Sequence, residues 1–224
     1  MNDLELVIFD LDGTLLDTLS DLAYSVNHAL EKSGFPIHPI ESYKYFAGNG
    51  INKLFERALP ENQKTDQNIT LLRSHFLPYY DEHNTVYTQP YEDIPELLKR
   101  LLSEGLKLAV ASNKYHKATE KLIRQFFPEI TFAAVLGQRE GIPVKPDPAI
   151  VSEILEITGL SSSEAIYIGD SGVDMQTASN SGIISIGVTW GFRSREELEG
   201  AGANFIANST NEILKIIDRQ SFFL

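Results

Sequence analysis

The chain has no cysteine, which excludes disulfides and thiolate-held metal ions at once. It is also short of positive charge: 19 Lys and Arg stand against 31 Asp and Glu, a net of −12. A broad nucleic-acid footprint needs clustered Lys and Arg, so no nucleic-acid partner is expected. The five histidines show no ligand spacing. No apolar run approaches the roughly 18 residues of a membrane span, so no membrane partner is expected. The stretch from Met1 to Asp10 carries acidic residues and only a short apolar run, unlike a signal peptide, and a cytoplasmic location is the expectation. The acidity also sets a condition. Any site for an anionic ligand must carry its own local positive charge, because the field of the whole chain repels the ligand.

What is present is an alternation. From about residue 90 onward, short apolar runs at 106–112, 132–137, 164–170 and 183–189 are separated by amphipathic segments. That pattern predicts βαβ units and a parallel sheet. One helix is well punctuated: Asp147 can cap it, Pro148 suits its first turn and Gly159 its end. Ile150, Val151, Ile154 and Leu155 form its sheet-facing stripe. Residues 18 to about 86 contain no buried-strand run. Leu22, Val26, Ala29 and Leu30 share a helical face, Gly34 and Pro36 end that helix, and Pro78 is expected to bend or split a later one. The reading is an α/β chain with a Rossmann-like parallel-sheet core at 1–17 and 89–224, and an inserted all-α cap at 18–88. Nothing in the sequence sets an oligomeric state.

In a parallel sheet, ligands bind beyond the carboxyl ends of the strands. Strand one ends in Asp10, followed by Asp12 and Gly13. The run at 106 ends in Ser112-Asn113-Lys114. Lys145 lies in "VKPDP", and the run at 164 ends in Asp170, with Asp174 four residues on. Carboxylates converging without His or Cys suit Mg²⁺. Ser112, Asn113 and Lys145 are donors for an anion. A cation with convergent donors describes a phosphoryl site. The need for both is quantitative. A carboxylate about 4 Å from a phosphate dianion meets roughly 8 kcal/mol of repulsion at an effective dielectric near 20, or about six orders of magnitude in rate.

The ordered set "FDLDGTLLDT", "ASNK", "KPDP" and "GDSGVDM" resembles the haloacid dehalogenase superfamily of phosphotransferases, and the insert looks like that family's helical cap. The resemblance implies Asp10 as nucleophile, forming an aspartyl-phosphate, and Asp12 as general acid and then base. It implies Mg²⁺ held by Asp10, the backbone carbonyl of Asp12 and Asp170, with Asp174 in support. Ser112 and Asn113 would bind phosphoryl oxygens, Lys145 would neutralise them, and Gly13 would let the backbone turn beside them. "AGNGINKLFERAL" and "GVTWGFRS" look like the phosphoglycolate phosphatases. That likeness puts Gly48, Asn49 and Gly50 on the cap's substrate-facing loop and makes a small phosphorylated metabolite the expected partner. Two alternatives stay open. One is a phosphomutase or a phosphonate-cleaving relative, the latter needing a cap lysine. The other is a non-enzymatic aspartyl-phosphate switch.

Overall fold

The computed structural model describes residues 4–223, with side chains through residue 218. β1 (Leu6–Phe9), a run of four residues buried on both faces, lies at the centre of a six-stranded sheet. Beside it lies β4 (Lys107–Tyr115), then β5 (Ala134–Gln138); on its other side come β6 (Ala165–Gly169), β7 (Ile184–Val188) and β8 (Phe205–Ala207). All pairings in this sheet are parallel. Period two sends Val7 and Phe9 into one core cluster and Leu6 and Ile8 into another, as a sheet covered by helices on both faces requires. Each fully buried Leu or Ile contributes about 1.5–3 kcal/mol.

The covering helices are α5 (Ile94–Ser103), α6 (His116–Phe126), α7 (Ala149–Thr158), α8 (Gly172–Asn180), α9 (Arg195–Gly200) and α10 (Thr210–Phe223). In α7, Asp147 accepts from the Ala149 N–H at 2.9 Å. Gly159 ends the helix at φ +70, in the left-handed region open to glycine. Ile150, Val151 and Ile154 are buried in the sheet-facing cluster, with Leu155 packed against it.

Between β1 and the rest of the sheet stands the helical unit: α1 (Leu19–Lys32), α2 (Tyr43–Phe46), α3 (Ile51–Ala58) and α4 (Asp66–His83). Its own core joins Leu22, Val26, Ala29 and Leu30 to Leu54, Phe55, Leu72 and Phe76. Here one expectation is corrected. Pro78 does not split its helix: α4 runs continuously through it. A proline removes a single backbone donor, and the buried Leu72, Phe76 and Tyr80 hold both sides of the break to the cap core.

Two strand features escape the sequence reading, as does α10. A two-stranded antiparallel ribbon, β2 (Leu16–Asp17) with β3 (Gln89–Pro90), ties the entry and exit of the insert together. Buried Asp21 reinforces that joint, accepting from the N–H groups of Tyr87 (3.0 Å) and Thr88 (2.9 Å) and from the Thr88 hydroxyl (2.8 Å). The other is β8, only three residues long.

Candidate active site

The chain order places β4 and β6 on opposite sides of β1, the crossover point where open α/β sheets bind ligands. Asp10 stands directly after β1 and Asp170 directly after β6. Ser112, Asn113 and Lys114 sit in an irregular stretch of β4. There the register moves from Ala111 opposite Leu136 to Tyr115 opposite Gln138, so β4 spends two residues more than its partner. Such a bulge re-aims side chains, and Ser112 and Asn113 turn to the same rim as Asp10, Asp12 and Asp170.

Lys145 lies behind the two acids. Its side chain is 1% exposed, with Nζ 2.9 Å from Asp10 Oδ1 and 2.7 Å from Asp174 Oδ1. The ammonium has three protons, and three acceptors take them: Asp174 Oδ1, Ala111 O (2.9 Å) and the Tyr167 hydroxyl (3.0 Å). Asp10 Oδ1 is ion-paired with the same ammonium outside the geometry of those three bonds, and is buried with no other partner. Burial lowers the proton affinity of Lys145, but the charges of Asp10 and Asp174 outweigh it and hold the ammonium well above the usual lysine range.

Asp174 has two tasks. Its Oδ1 receives Lys145; its Oδ2 accepts from the Ser171 N–H (3.1 Å) and hydroxyl (2.6 Å), closing a capping box at the start of α8. Asp170 accepts from the Phe192 N–H at 2.7 Å. Two glycines make room for it. A Cβ on Gly13 or on Gly191 would come within 2.3 or 2.4 Å of the Asp170 side chain. Gly13, at φ +85, also has the left-handed backbone that suits glycine.

Asp12 points elsewhere. Its Oδ1 accepts from the Thr18 hydroxyl (2.6 Å), and both its oxygens accept from Lys114 Nζ (2.9 and 3.0 Å). The two carboxylates of one strand end thus face different cations. Asn113 is also differently employed from the expectation that its side chain binds phosphoryl oxygens. Its amide donates to Gly48 O (3.0 Å) and Lys145 O (3.1 Å) and accepts from the Lys145 N–H (2.8 Å). That leaves it fastening the Lys145 loop and the cap. Ser112 Oγ accepts from the Lys114 N–H at 3.2 Å and keeps a proton to donate.

Of the cap loop, Gly48 and Gly50 line the cavity above the rim; both have positive φ, +107 and +81. Asn49 stands between them, and its Oδ1 accepts from Arg57 Nη2 at 2.8 Å. Arg193, which the sequence reading passed over, holds the cap from the core side. Its guanidinium donates to Lys44 O and, at 2.8 Å, to Ala47 O.

Carboxylate oxygens of Asp10, Asp170 and Asp174 lie within 4.8 Å of one another. Burial first, and then the charge of Asp174, push Asp10 up to about 7 and Asp170 well above the usual carboxylate range. Three buried carboxylates that repel one another and offer hard oxygen donors fit a divalent cation. These shifts fix the sign of the pH dependence. A carboxyl whose folded pKa is raised adds stability below its unfolded value near 3.8, and that stability fades as pH rises through about 7. A cation bound by the ionised form restores it. Adding 10 mM MgCl₂ should therefore raise the melting temperature at pH 8 by roughly 5 °C, given saturation well above Kd, and by much less at pH 5. Differential scanning fluorimetry checks this; an equal shift at both pH values would contradict it.

A parallel sheet with acids at its crossover point and a helical insert behind strand one defines a hydrolase architecture, and comparison with known proteins gives it a family. Residues 7–188 match the family model described as haloacid dehalogenase-like hydrolase. The chain belongs to that family. It is 30% identical over 220 residues to the phosphoglycolate phosphatase of Vibrio parahaemolyticus, covering 96% of each chain. It is 31% identical over 219 residues to that of Mannheimia succiniciproducens, covering 95% and 98%. A crystal structure from Lactobacillus delbrueckii subsp. bulgaricus, provisionally named a phosphoglycolate phosphatase, superposes with a TM-score of 0.90 at 34% identity, over 96% of this chain and 99% of that one. The chain is an enzyme, and phosphoric monoester hydrolases are what its full-length relatives are named as. Among the described residues no helix is long and apolar enough to cross a membrane.

Proposed function

We propose that the chain is a Mg²⁺-dependent phosphatase of a small phosphate monoester, phosphoglycolate foremost, working through an aspartyl-phosphate on Asp10. The observation that carries this reading is the division of labour between the two carboxylates of strand one. Asp10 is paired with the buried Lys145 ammonium, its Oδ1 2.9 Å from Nζ. Asp12 faces away, at the wall of the cavity.

Asp10 attacks phosphorus and the ester P–O bond breaks, with Asp12 giving a proton to the leaving oxygen. Asp12 then takes a proton from water as that water attacks phosphorus, which frees inorganic phosphate and Asp10. Lys145, fixed by its three acceptors, supplies positive charge without moving, so no reorganisation is needed at the moment of reaction. Ser112 Oγ–H, still free to donate, is the donor for a phosphoryl oxygen. Asp10, Asp170 and the Asp12 carbonyl would hold Mg²⁺, with Asp174 behind them. When bound, the ion supplies Lewis-acid stabilisation of the phosphoryl charge.

The cavity lies between cap and core, lined by Leu22, Ile51, Leu54 and Phe76 on the cap side and by Asp10, Asp12 and Ser112 on the core side. The phosphonate alternative loses support: Lys32 is exposed, Lys44, Lys53 and Lys64 are in exposed or half-exposed ion pairs, and none of the four lines the cavity. A phospho-switch has no use for Asp12 in its observed place, nor for a cap. The test is phosphate release from a panel of small esters, with Mg²⁺ and with EDTA. Phosphoglycolate is expected to lead the panel, and EDTA to abolish release. A panel with no hydrolysis in Mg²⁺ would overturn the reading.

A further inference from the structure

Beyond the reacting centre, the cavity is walled by apolar cap side chains, among them Leu22, Ile51, Leu54 and Phe76. Two polar features break that wall. Tyr80, fully buried, has a hydroxyl whose own proton meets no acceptor. Lys114, its side chain 4% exposed, places Nζ 4.9 Å from the centroid of the Tyr80 ring. An orphaned buried hydroxyl is costly, and in a native protein it calls for an explanation. Of the two cations lining the cavity, Arg193 is committed to Lys44 O, Ala47 O and Glu197. Lys114 gives two donors to the oxygens of Asp12 and holds its third over the tyrosine, close to the Tyr80 hydroxyl. A chain of net charge −12 that admits an anion needs such a local cation.

We propose that Lys114 and Tyr80 form a specificity subsite for a carboxylate on the leaving alcohol, placed one or two carbons from the ester oxygen. The ammonium and the phenol would each donate to that carboxylate. The short distance is required because Lys114 already touches Asp12, the residue beside the departing oxygen. The inference rests on the phosphatase reading and assigns to two residues the recognition of the leaving group.

The experiment compares phosphoglycolate with its neutral amide isostere, and includes p-nitrophenyl phosphate as a control, for the wild type, Lys114→Met and Tyr80→Phe. The readout is the ratio of kcat/KM for carboxylate over amide. The wild type should favour the carboxylate by about 100-fold, the scale of hydrogen bonds to a charged group. Lys114→Met should bring the ratio close to 1, whatever common loss comes from releasing Asp12. Tyr80→Phe keeps the ring and should cut the ratio roughly tenfold. A residue that merely positions Asp12 would lower both substrates by one factor, and an unchanged ratio in both variants overturns the proposal. So does a wild type indifferent to the carboxylate while it still hydrolyses p-nitrophenyl phosphate. Failure on all three esters would instead strike the phosphatase reading beneath it.

Discussion

Asp10→Asn is expected to abolish turnover, by about 10⁵-fold or more, while leaving the protein folded. The magnitude is that of losing a nucleophile whose partners cannot substitute for it. An amide carries no charge and cannot form the acyl-phosphate bond, and the site offers no other acid in the same place. Asp12 is held by Lys114 and Thr18, and Asp174 is consumed by Lys145 and Ser171. Folding should survive because the swap is isosteric. It also removes one of three crowded carboxylates whose mutual repulsion raises Asp10 and Asp170. In the absence of Mg²⁺ at pH 8, the variant should melt no lower than wild type, and its response to Mg²⁺ should shrink. Phosphate release and melting curves with and without the ion check both halves. Residual activity above about 1% would place the nucleophile elsewhere, since the loss of a reacting group costs far more than two orders of magnitude.

How much of this is legible in the residues divides along physical lines. β1, β4, β5, β6 and β7 can be read because buried parallel strands are apolar runs set between helical stripes. β8 cannot, since three residues carry no period. Asp10, Asp12 and Asp170 stand just past the ends of apolar runs, and Lys145 in the loop beyond another, so their positions alone single them out. Lys114 escapes, although it stands next to Asn113. Its meaning depends on Asp12, 102 residues away, and on Tyr80 from the cap. Nothing local marks an ammonium as buried. Tyr167 escapes for a related reason: inside "AIYIG" it reads as another core aromatic, and only the fold brings its hydroxyl to Lys145. Asn49 and the Asn113 side chain read as substrate contacts, but each has a nearer partner, Arg57 for one and the Lys145 backbone for the other. Amides satisfy whatever backbone or cation folding puts beside them, and a sequence does not show which.

Lys145→Met is the change expected to cost the most stability. Methionine fills much of the space of the lysine stem, so the effect isolates the ammonium. With it go three hydrogen bonds, to Ala111 O, Tyr167 and Asp174, and the only cation in contact with Asp10 among the described residues. What remains is a cluster of buried carboxylates with nothing between them. Breaking a buried pair from one side costs about 3–5 kcal/mol, which for a chain of this size is roughly 6–20 °C in melting temperature. The loss should depend on pH. Asp10 lies at about 7 even with the ammonium beside it, and removing that charge drives it higher. At pH 5 the folded variant holds these carboxyls protonated while the unfolded chain, near 3.8, does not. Folding then takes up protons, and the gap from wild type narrows. Melting curves at pH 5 and pH 8 therefore test the assignment. A gap that is small at pH 8, or no larger there than at pH 5, would mean that Lys145 is not what balances the charge at the end of strand one.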